Sequence, residues 1–61
     1  MAKYQVSFVF VSDDNKHLLA DEMQVTARNL YSASEKFYNW LDKTKFDKGK
    51  LRKIYFDRIM E

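Results

Sequence analysis

Cysteine is absent from this chain, and glycine and histidine occur once each, as Gly49 and His17. Without cysteine, the chain can form neither a disulfide framework nor the usual cysteine-bearing zinc site. One glycine excludes a glycine-rich loop that would cradle a phosphate, and a lone histidine beside a predicted loop is typical of an exposed residue. The lack of cysteine also fits a reducing compartment.

Long hydrophobic runs are absent as well. The amino-terminal residues lead into an alternating pattern instead of the apolar stretch of a signal peptide, and no segment approaches the ~20 apolar residues of a membrane-spanning helix. We therefore expect a cytoplasmic protein with no membrane partner.

Groups that could support catalysis are few. An enzyme needs a nucleophile, a tuned acid–base pair or a metal held in a pocket. The acidic residues near the predicted hairpin, Asp13, Asp14, Asp21 and Glu22, lack the spacing and the glycine of a calcium-binding loop. A chain this short also has little room for a ligand pocket of about 300 Å³ or more. We expect no enzymatic activity, no cofactor and no metal.

Aromatic residues are what the chain has in quantity: five Phe, four Tyr and one Trp among 61 residues. A domain of this size buries only about 60% of the surface that it exposes when unfolded, and its core rarely supplies more than about 3–5 kcal/mol. Each aromatic side chain buries about 150–250 Å², so these residues take the stabilising role that disulfides or a metal have in other small domains. We expect one domain over residues 1–61.

The first half of the chain predicts a β-hairpin. Residues 3–11 alternate, with an apolar side and a polar side, and residues 17–27 alternate again after the polar run 12–16. The polar side of the first strand turns apolar at Val9 and Val11, which indicates that its end is covered on both faces. This strand is therefore the expected centre of the sheet.

The middle of the chain predicts a helix. Asn29 is a suitable N-cap, and from Leu30 the apolar period changes to that of a helix. One stripe is formed by Leu30, Ala33, Phe37, Trp40 and Leu41. We expect this stripe to be core, while Tyr31 and Tyr38 lie beside it and either shield its edge or contact a partner.

Residues 51–60 predict a third strand after a polar connection over 42–50. Its faces are ambiguous, and we expect Ile54 and Phe56 inside and Tyr55 outside. The result is an α+β protein of ββαβ order, with a three-stranded antiparallel sheet in the order 2-1-3 and one helix packed on one face. The other face and two strand edges are left open.

The run Val25-x-Ala27-x-Asn29, then Ala33-x-Glu35-Lys36-x-Tyr38, a basic stretch and a short strand resembles two groups of small ββαβ proteins. One is the archaeal LX-type ribosomal protein family, and the other is the set of small phage-encoded inhibitors of host enzymes. The net charge of +2 is low for a protein embedded in RNA. The resemblance therefore implies a fold more than a function.

Charge is distributed unevenly along the chain. Residues 43–53 hold six basic residues and one acidic residue, whereas the remainder has five basic and eight acidic residues. This basic segment either solubilises the protein, meets an acidic protein surface, or neutralises phosphates with Phe46 or Tyr55 stacking on a base. Lysine outnumbers arginine here by five to one, which weakens the nucleic-acid interpretation because arginine binds phosphate better.

These observations favour a small non-catalytic binding protein, of phage or mobile-element origin, that acts as an accessory protein or inhibitor by docking on a larger host protein. A nucleic-acid- or ribosome-associated protein is the alternative, and a self-associating module that forms a homodimer through its sheet edges is a third. The residues expected to contact a partner are Gln5, Ser7, Val9, Tyr31, Tyr38, Lys43, Lys45, Lys48, Lys50, Arg52, Lys53 and Tyr55.

Overall fold

The computed structural model describes the backbone of residues 1–60 and the side chains of residues 1–59. Its elements are β1 (Ala2–Val11), β2 (Leu18–Ala27), α1 (Leu30–Lys43), a short 3₁₀ helix (Lys48–Lys50) and β3 (Leu51–Met60). The sheet has the order β2-β1-β3, and both neighbours of β1 run antiparallel to it. The predicted α+β fold of ββαβ order is confirmed.

A tight polar turn closes the hairpin between β1 and β2. The Ser12 amide donates to the His17 carbonyl over 2.9 Å, and Asn15 adopts the left-handed conformation with φ of 59°. Asparagine tolerates this conformation better than most residues. The hydroxyl of Ser12 and the amide of Lys16 both donate to the Asp14 carboxylate, and these bonds hold the pKa of Asp14 below its ordinary value of 3.8.

The strand register decides which residues face the helix. In β1, Tyr4, Val6 and Phe8 are buried. Val6 lies opposite Phe56 and Phe8 lies opposite Ile54, and residues directly opposite each other share a face of the sheet. Ile54 and Phe56 therefore face the helix and Tyr55 faces the other way, as predicted.

The helix begins where the sequence predicts it. The Asn29 side chain accepts a hydrogen bond from the Ser32 amide over 2.9 Å, and Ala33, Phe37 and Leu41 are fully buried. Leu30, however, is 53% exposed, so its assignment to the core stripe is wrong. At ~100° per residue Leu30 points in the stripe's direction, and its position in the first turn, at the end of the helix, is what leaves it exposed.

An aromatic cluster fills the space between α1 and the sheet. The ring of Phe37 lies 5.2 Å from that of Phe8, 6.2 Å from that of Trp40 and 6.0 Å from that of Phe56. Trp40 is half-buried and packs against this core. Offset and edge-to-face contacts of this kind add about 0.5–1.5 kcal/mol per pair beyond area burial.

Phe46 closes the same cluster from the connection after the helix. Its ring meets Phe10 edge-on at 5.2 Å and Phe8 at 6.3 Å, and its amide donates to the Leu41 carbonyl over 3.0 Å. Phe46 thus packs against the core and is only partly exposed, so Tyr55 is the more accessible of the two rings considered for base stacking.

Replacing Phe37 by Ala should unfold the domain or nearly so. Truncating a buried Phe costs about 3–5 kcal/mol, which equals the whole stability expected at this size. Leu30→Ala, in the same helix, is the matched control and should change the free energy of unfolding by less than about 0.5 kcal/mol. Urea titrations followed by circular dichroism measure both, and equal effects would contradict this description of the core.

Candidate partner-binding surfaces

The sheet face opposite α1, called here the open face, carries the side chains that alternate with the buried ones. No other element in the described part of the chain covers it. From β1, β2 and β3 respectively, its members are Lys3, Gln5, Ser7 and Val9; Ala20, Glu22, Gln24 and Thr26; and Lys53, Tyr55 and Asp57.

A shallow depression lies near the centre of the open face. Ser7 stands opposite Glu22 on one side and opposite Tyr55 on the other. Because Ser7 and Ala20 are small, they leave a space of about 410 Å³ between the larger side chains. Tyr55, which is 56% exposed, borders it.

Polarity divides the open face into two parts. Val9, Ala20 and Tyr55 give the part around the depression an apolar character. Toward the amino-terminal end of β1, Gln24 donates from its side-chain amide to Gln5 over 3.2 Å, and Asp57 lies opposite Gln5. The open face therefore combines an apolar centre with a polar border.

The residues of the basic segment are spread over several elements, and three of them have partners within the chain. Lys48 pairs with Asp42 over 2.6 Å, and Lys50 pairs with Asp13 over 2.5 Å. Arg52 donates to the carbonyls of Gly49 and Leu51 over 2.9 Å and 3.1 Å. The two carboxylate pairs reduce the charge that the segment presents to a partner, whereas Arg52 keeps its charge.

Lys43, Lys45 and Lys53 are exposed and have no acidic partner within 4 Å among the described residues. Lys43 ends the helix, where a cation favours the negative end of the helix dipole. Lys45 follows with φ of 58°, and Lys53 lies on the open face opposite Val9. These three therefore occupy three separate structural settings.

The two predicted boundary tyrosines differ. Tyr31 is 74% exposed, and the neighbouring Glu35 carboxylate raises the pKa of Tyr31 above its ordinary value of 10.0. Tyr38 packs edge-on against Phe37 at 5.6 Å and borders a depression with Ile54. Tyr38 thus shields the edge of the core, while Tyr31 is available to a partner.

The sequence predicted only part of the open face. The alternation of β1 identified Gln5, Ser7 and Val9, but Ala20 and Asp57 were missed as members of the same surface. Their signal is the strand register, which pairs Ala20 with Val9 and Asp57 with Gln5. The alternation of β1 alone does not reveal that register.

Among the residues that the structure describes, no three histidine, aspartate or glutamate side chains converge on a possible ion position. Nor does any helix there have the length and apolar character needed to cross a membrane.

Comparisons with protein-family models, with curated proteins and with solved structures found no match to this chain. The structure confirms the small ββαβ fold that the resemblance implies. A relationship to either of the two resembling groups is not supported by these comparisons.

The Lys50–Asp13 pair should stabilise the fold in a pH-dependent way. Asp13 raises the pKa of Lys50 above its ordinary value of 10.5. The stabilisation is therefore complete below that value and is lost as the pH rises through the folded-state pKa. Lys50→Met should lower the midpoint of urea unfolding at pH 7, and the difference from wild type should vanish at high pH.

Lys45→Met is the matched control for this prediction because Lys45 has no acidic partner. Its unfolding midpoint should equal that of wild type at every pH. Added salt should shrink the effect of Lys50→Met, since exposed ion pairs are screened. Equal midpoints for the two variants at low salt would contradict the pairing.

Proposed function

We propose that this protein is a small non-catalytic binding protein that docks on a larger protein through its open face. The observation that carries the proposal is the uncovered sheet face with an apolar depression beside the exposed ring of Tyr55. Tyrosine is enriched among the residues that dominate interface energetics. Its ring supplies apolar area and its hydroxyl supplies a hydrogen bond.

The open face carries charges of both signs, as the polar rim of an ordinary interface does. This mixture does not favour a strongly charged partner. Glu22 and Asp57 are balanced by Lys3 and Lys53. No single sign of charge would steer a partner onto this surface, so recognition depends on the apolar centre, as in ordinary protein interfaces.

The size of the open face limits the strength of docking. Three strands at ~4.8 Å spacing and ten residues at ~3.3 Å rise cover roughly 470 Å², below the ~800 Å² that each partner contributes to a standard interface. A partner confined to this face would form a weak or transient complex. Tight binding would require further contacts beyond the open face.

A protein that acts in this way is an accessory or inhibitory protein, and the phage or mobile-element origin that the resemblance implies remains part of the proposal. The nucleic-acid or ribosome-associated function ranks second. Phe46 packs in the core, and Lys48 and Lys50 already pair with carboxylates. That function would therefore depend on Lys43, Lys45 and Lys53, and on Arg52, which is exposed and keeps its charge.

Tyr55→Glu should weaken docking. The immobilised protein is incubated with nuclease-treated lysate of a candidate host, the captured protein is purified, and its Kd is measured against wild type and variants. Loss of a central tyrosine anchor typically costs 2 kcal/mol or more, so we expect Kd to rise about thirtyfold. Ser7→Arg, which fills the depression, should act in the same direction.

Tyr31→Glu is the control, because it changes an exposed tyrosine on the helix side of the sheet. It should leave Kd within about threefold of wild type, which corresponds to well under 1 kcal/mol. A partner lost on nuclease treatment, or one sensitive to Lys45→Glu and insensitive to Tyr55→Glu, would contradict the proposal and favour the nucleic-acid function.

A further inference from the structure

The outer edge of β3 is open, and its sequence is complementary to itself. In the described part of the chain, no strand pairs with β3 on the side away from β1. The exposed edge of a strand offers unpaired backbone donors and acceptors to another strand. The side chains along β3 then determine which strand can pair with this edge.

Geometry restricts how two copies of β3 could pair about a two-fold axis. Directly opposite residues in an antiparallel pair lie on the same face of the sheet. The two-fold axis must therefore pass through one residue, which then lies opposite its own copy. An axis between two residues would instead place side chains from opposite faces of the sheet opposite each other. Ile54, Tyr55 and Phe56 are the central candidates.

Only the register centred on Tyr55 matches charges on the open face. It sets Lys53 opposite Asp57 of the second copy, and Asp57 opposite its Lys53, on either side of the two tyrosines. Ile54 and Phe56 then face each other across the axis on the helix side. A register centred on Ile54 or Phe56 would instead set Lys53 opposite Tyr55 or Ile59.

From this complementarity we infer that the partner of the β3 edge is a second copy of this chain, paired antiparallel about Tyr55. The product is a symmetric dimer with one six-stranded sheet and both helices on the same side. Ile54 and Phe56, which are half-buried in the single chain, would pack against their counterparts. The open faces of both copies stay uncovered, so the dimer leaves both of them accessible to a docked partner.

This register also contains one unfavourable kind of pair. Arg52 of each copy stands opposite Arg58 of the other, and their positive charges repel. The pairing of β3 with β1 shifts by one residue between Val9 and Phe10, which makes Arg52 an extra residue in the strand. Its guanidinium turns back to the carbonyls of Gly49 and Leu51. The strand pairing between the two copies is therefore centred on residues 53–57, and Arg52 lies outside this central part.

The outer edge of β2 does not offer the same match. Its only charged residues are Asp21 and Glu22, and it contains no basic residue. No two-fold register of β2 with itself can form an opposite-charge pair, and a register centred on either acid sets like charges together.

Charge exchange between Lys53 and Asp57 tests the dimer. Sedimentation equilibrium of the wild-type protein from about 10 μM to about 1 mM, the range of weak complexes, should show a monomer–dimer equilibrium. Lys53→Asp alone and Asp57→Lys alone each convert two opposite-charge pairs into two like-charge pairs, so the dimer Kd should rise about tenfold or more.

A double variant and a mixture of the two single variants separate this effect from loss of the fold. The double variant Lys53→Asp/Asp57→Lys should restore the dimer, and mixing the two single variants should form a heterodimer, because each supplies the charge that the other lacks. Wild type that stays monomeric throughout, a dimer indifferent to both single changes, or growth into larger oligomers would overturn the proposal.

Discussion

The contact between Phe37 of the helix and Phe8 of the central strand is the interaction on which the rest of the structure depends. The two rings lie 5.2 Å apart, and Phe37 is fully buried. Around them, Trp40, Phe46 and Phe56 add rings from the helix, the connection and β3. In a chain with no cysteine, this cluster takes the place of a covalent cross-link.

One helix on one side of the sheet has a consequence for function. The fourteen residues of α1 cover the face that contains Val6 and Phe8, and no second helix covers the other face in the described residues. Antiparallel sheets tolerate one solvated face when their strands alternate in polarity. The open face follows that rule at Gln5 and Ser7 and departs from it at Val9 and Tyr55, which is why docking is proposed there.

The fold could be predicted from local patterns, because each element has a clear period. The alternation of β1 and its apolar end at Val9 and Val11 identified the central strand, and from it the strand order followed. The expected cover on both faces of that end is found at Val11, which is buried, but not at Val9, which lies on the open face. Local patterns failed where the burial of a residue depends on its position in the chain and not on the spacing of the apolar residues. Leu30 fits the helical stripe by angle but lies in the first turn, and Phe46 belongs to no periodic element although it packs in the core.

The candidate surfaces were harder to predict because they depend on distant parts of the chain. Lys50 and Asp13 are 37 residues apart in sequence, so nothing near Lys50 reveals that its charge is already paired. Ala20 and Asp57 join the open face only through their registers with β1. Composition identified the basic segment, but it could not distinguish the lysines that pair with a carboxylate from those that do not.

The open face and the β3 edge share Tyr55, and this sharing constrains how the two proposals combine. In the dimer, two copies of Tyr55 lie side by side at the two-fold axis and project from the same side of the six-stranded sheet. The two depressions then face one direction, on either side of the paired tyrosines. A larger partner with two-fold symmetry could engage both at once, and linked sites of this kind bind far more tightly than either alone. Dimerisation would thereby offset the small area of a single open face.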